Sequence, residues 1–283
     1  MNSCFAKIIL LCFCLVLLNF LSASRIIQQP KVKLPAVHKQ QPNCTLGFLL
    51  LIRVYESDKA RLTLSHVLQY MRYMSYAGAS HFFVYDAYER ASESLRYDLA
   101  HIPNVAYHDW SHYTPYVFPA TQLSAYQHAI DHHPCTWHAA LDIDEYVVAP
   151  DDLEPGFLQR ALATVPTSVA ELTVQNYLVV GPANFDERYW LAERYKRITK
   201  EPGNQLVKPL YKPQYCAAGI HHNTILDRSM TSQVADASHL FMAHIWGARL
   251  SDFEDRFSEE LRKKTSEFAL LSELVQKVKA WQN

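Results

Sequence analysis

Apolar runs of strand length alternate along this chain with stretches of helical spacing. Leu46 to Val54 is almost continuously apolar, the pattern of a strand covered on both faces. Ser57 or Asp58 can cap a helix reaching about Tyr76, with Leu62, Val67, Leu68, Met71 and Met74 along its apolar side and Ala77-Gly78 to end it. Ser80 to Tyr85 predicts a second strand with Asp86 at its carboxyl end. A second helix is expected over Ala91 to Leu99, a third strand over Val105 to Trp110, and a third helix from Pro119 to about His133. Trp137 to Ile143 predicts the fourth strand. This βαβαβαβ order implies an α/β fold, a mostly parallel sheet with helices on both faces. Ligands of such sheets sit outside the carboxyl ends of the strands, and Arg53, Glu56, Asp86 and Asp142 to Glu145 all fall there.

The fourth strand changes the picture most. It leads into three carboxylates within four residues, Asp142-Ile143-Asp144-Glu145, with Trp137 five residues before the first. A buried carboxylate is costly without a partner, so acids at the mouth of a buried strand need one. Asp142 and Asp144 are two apart and project from one face of a regular strand, giving converging hard oxygen ligands. Such a pair suits Mn²⁺ or Mg²⁺ carrying a diphosphate, the Asp-x-Asp arrangement of nucleotide-sugar transferases. A solvated turn at a strand end is the plain alternative.

The ends of the chain carry different information. Lys7 precedes the apolar run Ile8 to Leu18, and Phe5 to Ala23 is long enough for a signal anchor in a thin membrane. Leu21-Ser22-Ala23 equally fits a cleaved signal peptide. Both readings put the rest of the chain in the lumen of the secretory pathway, anchored to its membrane or released into it. Residues 1–24 are thus a targeting segment, 25–44 a stem, 45–250 the catalytic domain, and 251–283 one or two amphipathic helices packed on it. Asn43-Cys44-Thr45 is a glycosylation sequon. Outside the targeting segment stand Cys44, Cys135 and Cys216, enough for one bridge and one free thiol, with the pairing open.

Composition narrows the function classes. The 283 residues are 49% hydrophobic and 19% charged with a net charge of -1, an ordinary globular balance without the basic stripe that nucleic acid requires. No Cys-x-x-Cys pair points to structural zinc.

Several segments together resemble glycosyltransferase family 92, of the GT-A fold, over about residues 45 to 260. They are Ile52-Arg53-Val54-Tyr55-Glu56, Gly78 to Asp86, Gln122, Trp137 with Asp142-Ile143-Asp144-Glu145-Tyr146, Glu193-Arg194-Tyr195, Lys208 with Pro213, and Gly219-Ile220-His221. The resemblance implies an inverting, metal-dependent hexosyltransferase moving a sugar, commonly galactose from UDP-galactose, to a glycan acceptor. It implies nucleotide-sugar contacts from Arg53, Glu56, Asp86, Asp142 and Lys208, and metal ligands in Asp142, Asp144 and His221, with His244 the rival for the imidazole. Lys208 has the open alternative of a solvated strand-end lysine. The acceptor hydroxyl needs a carboxylate base. Glu193 is favoured for that role, then Asp186, with Glu187 a further candidate, and a structural ion pair to Arg194 or Arg197 is the plain reading of Glu193. From other classes, a lumenal carbohydrate-binding pseudoenzyme of the same fold is the main alternative, and a metal-dependent phosphoester hydrolase a second.

Overall fold

Leu46 to Ile52 form β1, and its alternation divides the core. Leu46, Phe48, Leu50 and Ile52 join one buried apolar cluster, while Leu49 joins another with Phe83, Tyr85 and Tyr126. A strand sealed on both faces has no polar side, and this explains the continuous apolar run. The computed structural model describes residues 44–53, 63–113, 117–180, 189–203, 206–245 and 263–281. All of them fall within the unit Val37–Asn283. The targeting segment, most of the stem, Glu56, Asp186, Glu187 and the start of the C-terminal tail lie outside the described residues. No described helix is long and apolar enough to cross a membrane.

In chain order, β1 is followed by α1 (Leu64–Ala77), β2 (His81–Asp86), a short α2 (Arg96–Leu99), β3 (Val105–Asp109), α3 (Ala120–His132), β4 (Trp137–Ala140) and β5 (Glu145–Val148). Then come α4 (Phe157–Ala163), β6 (Val169–Val174), β7 (Asn176–Val180), β8 (Arg197–Thr199), β9 (Lys208–Tyr211), β10 (Cys216–Ala217) and β11 (Thr224–Ile225). The last elements are β12 (Thr231–Val234), β13 (Phe241–Ile245), β14 (Thr265–Glu267) and α5 (Leu270–Ala280).

The central sheet has seven strands in the order β12-β6-β9-β4-β1-β2-β3. Four neighbouring pairs are parallel and the two involving β9 are antiparallel. A second sheet of five strands runs β14-β8-β7-β13-β5. The expected α/β class, with a mostly parallel central sheet and flanking helices, is what the chain adopts.

Local chemistry explains the main joints. Gly78 ends α1 with φ 117° and donates its N–H to Met74 and Ser75 carbonyls, a left-handed cap that favours glycine. At Gly47 an added Cβ would sit 2.4 Å from the Phe83 ring, so β1 and the ring can approach only because that position is bare. Cys44 and Cys135 form a disulfide joining the starts of β1 and β4, and Cys216 is buried with a free thiol.

Three expectations change. The fourth strand stops at Ala140, and the acids occupy a turn that hands the chain from the central sheet to the second one. The predicted second helix is only a 3-10 turn at Ala91–Glu93 followed by α2. In the tail, β14 pairs with β8 before α5 begins, so part of the amphipathic pattern is strand.

Candidate functional site

The acid turn sits between two sheets, and hydrogen bonds from both hold it. The Glu145 N–H donates to the Asp142 carbonyl at 3.0 Å, and the Ile245 N–H of β13 donates to the Asp144 carbonyl at 2.8 Å. The Asp142 N–H donates to the Glu145 carboxylate at 2.8 Å. Behind the turn, Tyr70 and Tyr73 of α1 meet the Tyr146 ring edge-on at 5.3 and 5.0 Å, and the Tyr73 hydroxyl donates to the Val147 carbonyl. The turn is therefore a fixed platform.

Its charge is organised around Lys208. The Lys208 Nζ lies 2.8 Å from Asp142 Oδ2 and 3.3 Å from Glu145 Oε2. The lysine and Glu145 side chains are only 3% and 2% exposed, whereas Asp142 keeps 38% of its side chain in solvent. Burial works against the charge on Lys208, but Glu145 and Asp142 outweigh it and hold the ammonium protonated well above its usual range. Burial pushes the Glu145 carboxyl above its usual range, and the Lys208 ammonium opposes that. Gln122, on the first turn of α3, donates to Asp142 Oδ1 at 3.2 Å and to the Tyr126 hydroxyl at 2.8 Å.

Asp144 turns the other way. It is buried, and its Oδ1 lies 4.0 Å from His244 Nε2 on β13. That is too long for a hydrogen bond. Asp144 and His244 are the side chains that would hold a divalent ion here. The Asn176 amide contacts His244 Nδ1 at 3.2 Å and its Oδ1 is buried without a partner. As placed, the amide N–H donates to Nδ1; with the amide turned end for end its oxygen would accept an Nδ1–H, and Nε2 would then be the ring's acceptor nitrogen, the tautomer a metal ligand needs. A carboxylate and an imidazole are a fitting donor set for Mn²⁺ or a similar ion.

His221 stands elsewhere. Its Nδ1–H donates to the Val207 carbonyl at 3.0 Å, next to Lys208. Its loop is tied to the central sheet through Glu171, a buried carboxylate of β6 that accepts the Asn223 N–H at 2.6 Å. Among the described residues, Asp142, Asp144 and His221 do not form a group with ligand atoms within 4.8 Å of one another. The imidazole beside Asp144 is that of His244, while His221, the ligand expected first, lies beside Val207. The signal was available: His244 is the one polar residue in the otherwise apolar run Leu240 to Ile245.

Asp86 ends β2 at the same edge of the sheet. It is fully buried, and its Oδ2 accepts the Leu95 N–H at 2.8 Å and the Tyr107 hydroxyl at 2.7 Å. Its Oδ1 is buried without a partner. Burial raises the Asp86 carboxyl above the usual range, and the hydrogen bonds from Tyr107 and Leu95 oppose that. Arg53 follows β1 and lies 3.9 Å from Glu89.

Glu193, expected first as the base, is enclosed in a network with its own turn and α5. It ends a 3-10 turn, is buried, and accepts hydrogen bonds from the Trp190 N–H at 2.8 Å, the Gln276 amide and the Lys279 ammonium at 2.7 Å. Both oxygens are thereby committed to its own turn and to α5. A base must leave an oxygen for the acceptor hydroxyl. Glu193 is in an ion pair, but with Lys279 of α5 in place of the Arg194 or Arg197 expected in the plain reading.

No protein-family model matches the chain, and no curated protein sequence matches it. Solved structures give distant likenesses. HddC from Yersinia pseudotuberculosis is 11% identical over 75% of this chain and 99% of its own, with a TM-score of 0.38. The same protein complexed with GMP-PN gives 9% identity over 75% and 99%, with a TM-score of 0.36. A protein provisionally described as a glucose-1-phosphate thymidylyltransferase from Bacillus anthracis, in complex with a sucrose, gives 10% over 75% and 93%, with a TM-score of 0.41. Likeness at this level says nothing of activity, and the fold class rests on the strand order and pairing above.

Proposed function

We propose that the chain is a metal-dependent, inverting glycosyltransferase that moves a hexose from a UDP-sugar, galactose first among them, to a glycan acceptor in the secretory lumen. The family-92 resemblance supports the substrate class. The observation that carries the reading is the acid turn itself. It places one half-exposed and one buried aspartate at the carboxyl end of β4, in the middle of a mostly parallel sheet, between a buried lysine and an imidazole. Neither an ordinary solvated turn nor a core needs such a set.

In this reading Asp144 and His244 hold the divalent ion, which offsets the charge developing on the diphosphate leaving group. Asp142, oriented by Gln122 and Lys208, faces the solvent side and contacts the donor. Lys208 keeps the two neighbouring carboxylates from repelling one another, so that the turn stays closed when an anionic donor arrives. Asp86 offers its unpartnered Oδ1 to an N–H of the base, and Arg53 lies beside the same strand ends. Glu56 and Asp186 keep their proposed roles, at the nucleotide and as the base that takes the acceptor's proton. The N-terminal apolar segment anchors or targets the domain.

One observation favours a second reading, a lumenal carbohydrate-binding protein without turnover: Lys208 already neutralises Asp142, as a resident cation would. A panel of UDP-sugars incubated with the full chain and Mn²⁺ separates the two. The transferase releases UDP, faster with acceptor glycans present. A binding protein retains the donor and releases none.

A further inference from the structure

Three imidazoles converge away from the acid turn. His108 of β3, His128 of α3 and His133, which caps α3, each offer a ring nitrogen, and the three atoms lie within 4.8 Å of one another. No other described group of three or more His, Cys, Asp or Glu side chains is gathered this closely. The strand order β4-β1-β2-β3 puts three strand spacings, about 14 Å, between the strand of His108 and the strand that leads into the acid turn.

We infer that His108, His128 and His133 form a second metal site, selective for a divalent ion of borderline softness such as Zn²⁺, that pins the edge strand β3 to the end of α3. Three neutral imidazoles with a fourth position open are a ligand set for Zn²⁺ and disfavour Mg²⁺ or Ca²⁺. The rings are held in place without an ion. His133 stacks on Phe83 at 4.4 Å with 13° between planes, and His108 stacks on Tyr85 at 4.8 Å with 16°. The Tyr85 hydroxyl lies 3.0 Å from His128 Nδ1; accepting the proton there, it leaves Nε2 as the ligand atom, the outer contact that metal-binding histidines characteristically make. His133 Nε2 and His108 Nε2 are 2.8 Å apart, so two lone pairs face one another unless a proton or a cation lies between them. Burial, with help from the neighbouring imidazoles, pushes His108 down to about 4 and His133 to about 3, which keeps both rings uncharged at neutral pH. The disulfide at Cys135 fixes the chain two residues after His133, so the ion and the bridge would clamp one corner of the sheet together. The site is independent of the proposed transferase activity.

The test is metal titration of the full chain, free of affinity tags and stripped of metal, with Zn²⁺ and with Co²⁺ as a coloured probe. An Asp144→Asn variant removes the acid-turn site from the count. The expected result is one tightly bound Zn²⁺ that persists in Asp144→Asn and weakens by roughly 10² or more in His108→Phe and in His133→Gln. Histidine carboethoxylation of the unmutated chain provides a reading that no misfolded variant can spoil: Zn²⁺ should protect His108, His128 and His133 together. Saturable binding lost with Asp144→Asn, binding unchanged in the His108→Phe, His133→Gln double variant, or no joint protection of the three rings would each overturn the site and leave a proton shared between two imidazoles.

Discussion

Two buried glutamates, each with a lysine, do opposite things in this molecule. Glu193 and Lys279 close a brace: one carboxylate takes hydrogen bonds from its own turn, from Gln276 and from the lysine, and it ties α5 to the domain. At the acid turn one lysine is shared between two carboxylates, Glu145 and Asp142, and Asp142 opens to solvent. The brace is complete when the protein folds. The turn keeps the Asp142 carboxylate outward and sets Asp144 4.0 Å from the His244 imidazole. Burial and a lysine partner are common to both, and what sets the acid turn apart is Asp142, whose carboxylate faces solvent beside the enclosed Glu145.

The largest expected effect is at the shared lysine. Lys208→Met should destabilise the domain by about 3–5 kcal/mol, because Glu145 is left buried beside Asp142 without its counter-charge. Chemical denaturation measures it, and a loss below about 1 kcal/mol would show that the turn does not depend on Lys208. Combining it with Glu145→Gln should recover part of the loss. Next, Glu193→Gln should cost about 1–2 kcal/mol through the weakened contact with Lys279 and leave the transfer rate within about threefold of the parent. A fall in transfer near 10², the usual span for a lost general base, would return Glu193 to catalysis. The smallest effect is at Asp86. Asp86→Asn keeps an acceptor for Leu95 and Tyr107 but replaces the unpartnered Oδ1 with a donor, so the apparent donor KM should rise roughly tenfold, about 1.4 kcal/mol, with stability little changed. Unchanged nucleotide affinity by calorimetry would confine Asp86 to structure.

The first half of the fold was legible because βαβ units repeat one pattern, an apolar run, a spaced apolar face and a capping residue. β1, β2 and β3 fall within a few residues of expectation for that reason. The second half was not, because its strands are as short as two residues and β7, β8, β13 and β14 find their partners across the chain. The same limit governs the site. Asp142 and Asp144 stand out locally, since acids between apolar runs are conspicuous. Their partners Lys208 and His244 arrive from 66 and about 100 residues away, and only the pairing of β9 with β4 and β13 with β5 brings them in. Sequence order favoured His221 over His244 because a motif can be matched along a chain, whereas a register cannot be read from one. The histidine cluster escaped notice for a related reason: His128 and His133 lie among fourteen histidines, and nothing in their spacing points to His108 on another element.

The acid turn is proposed to bind a divalent ion for transfer of a hexose from a UDP-sugar. The most direct test is UDP release from UDP-galactose by the full chain with Mn²⁺ and a glycan acceptor, compared with Asp144→Asn and with chelator. The expected result is acceptor-stimulated release that chelator abolishes and Asp144→Asn lowers by about 10² or more. Equal release by the parent and Asp144→Asn, in the presence of chelator, would contradict it.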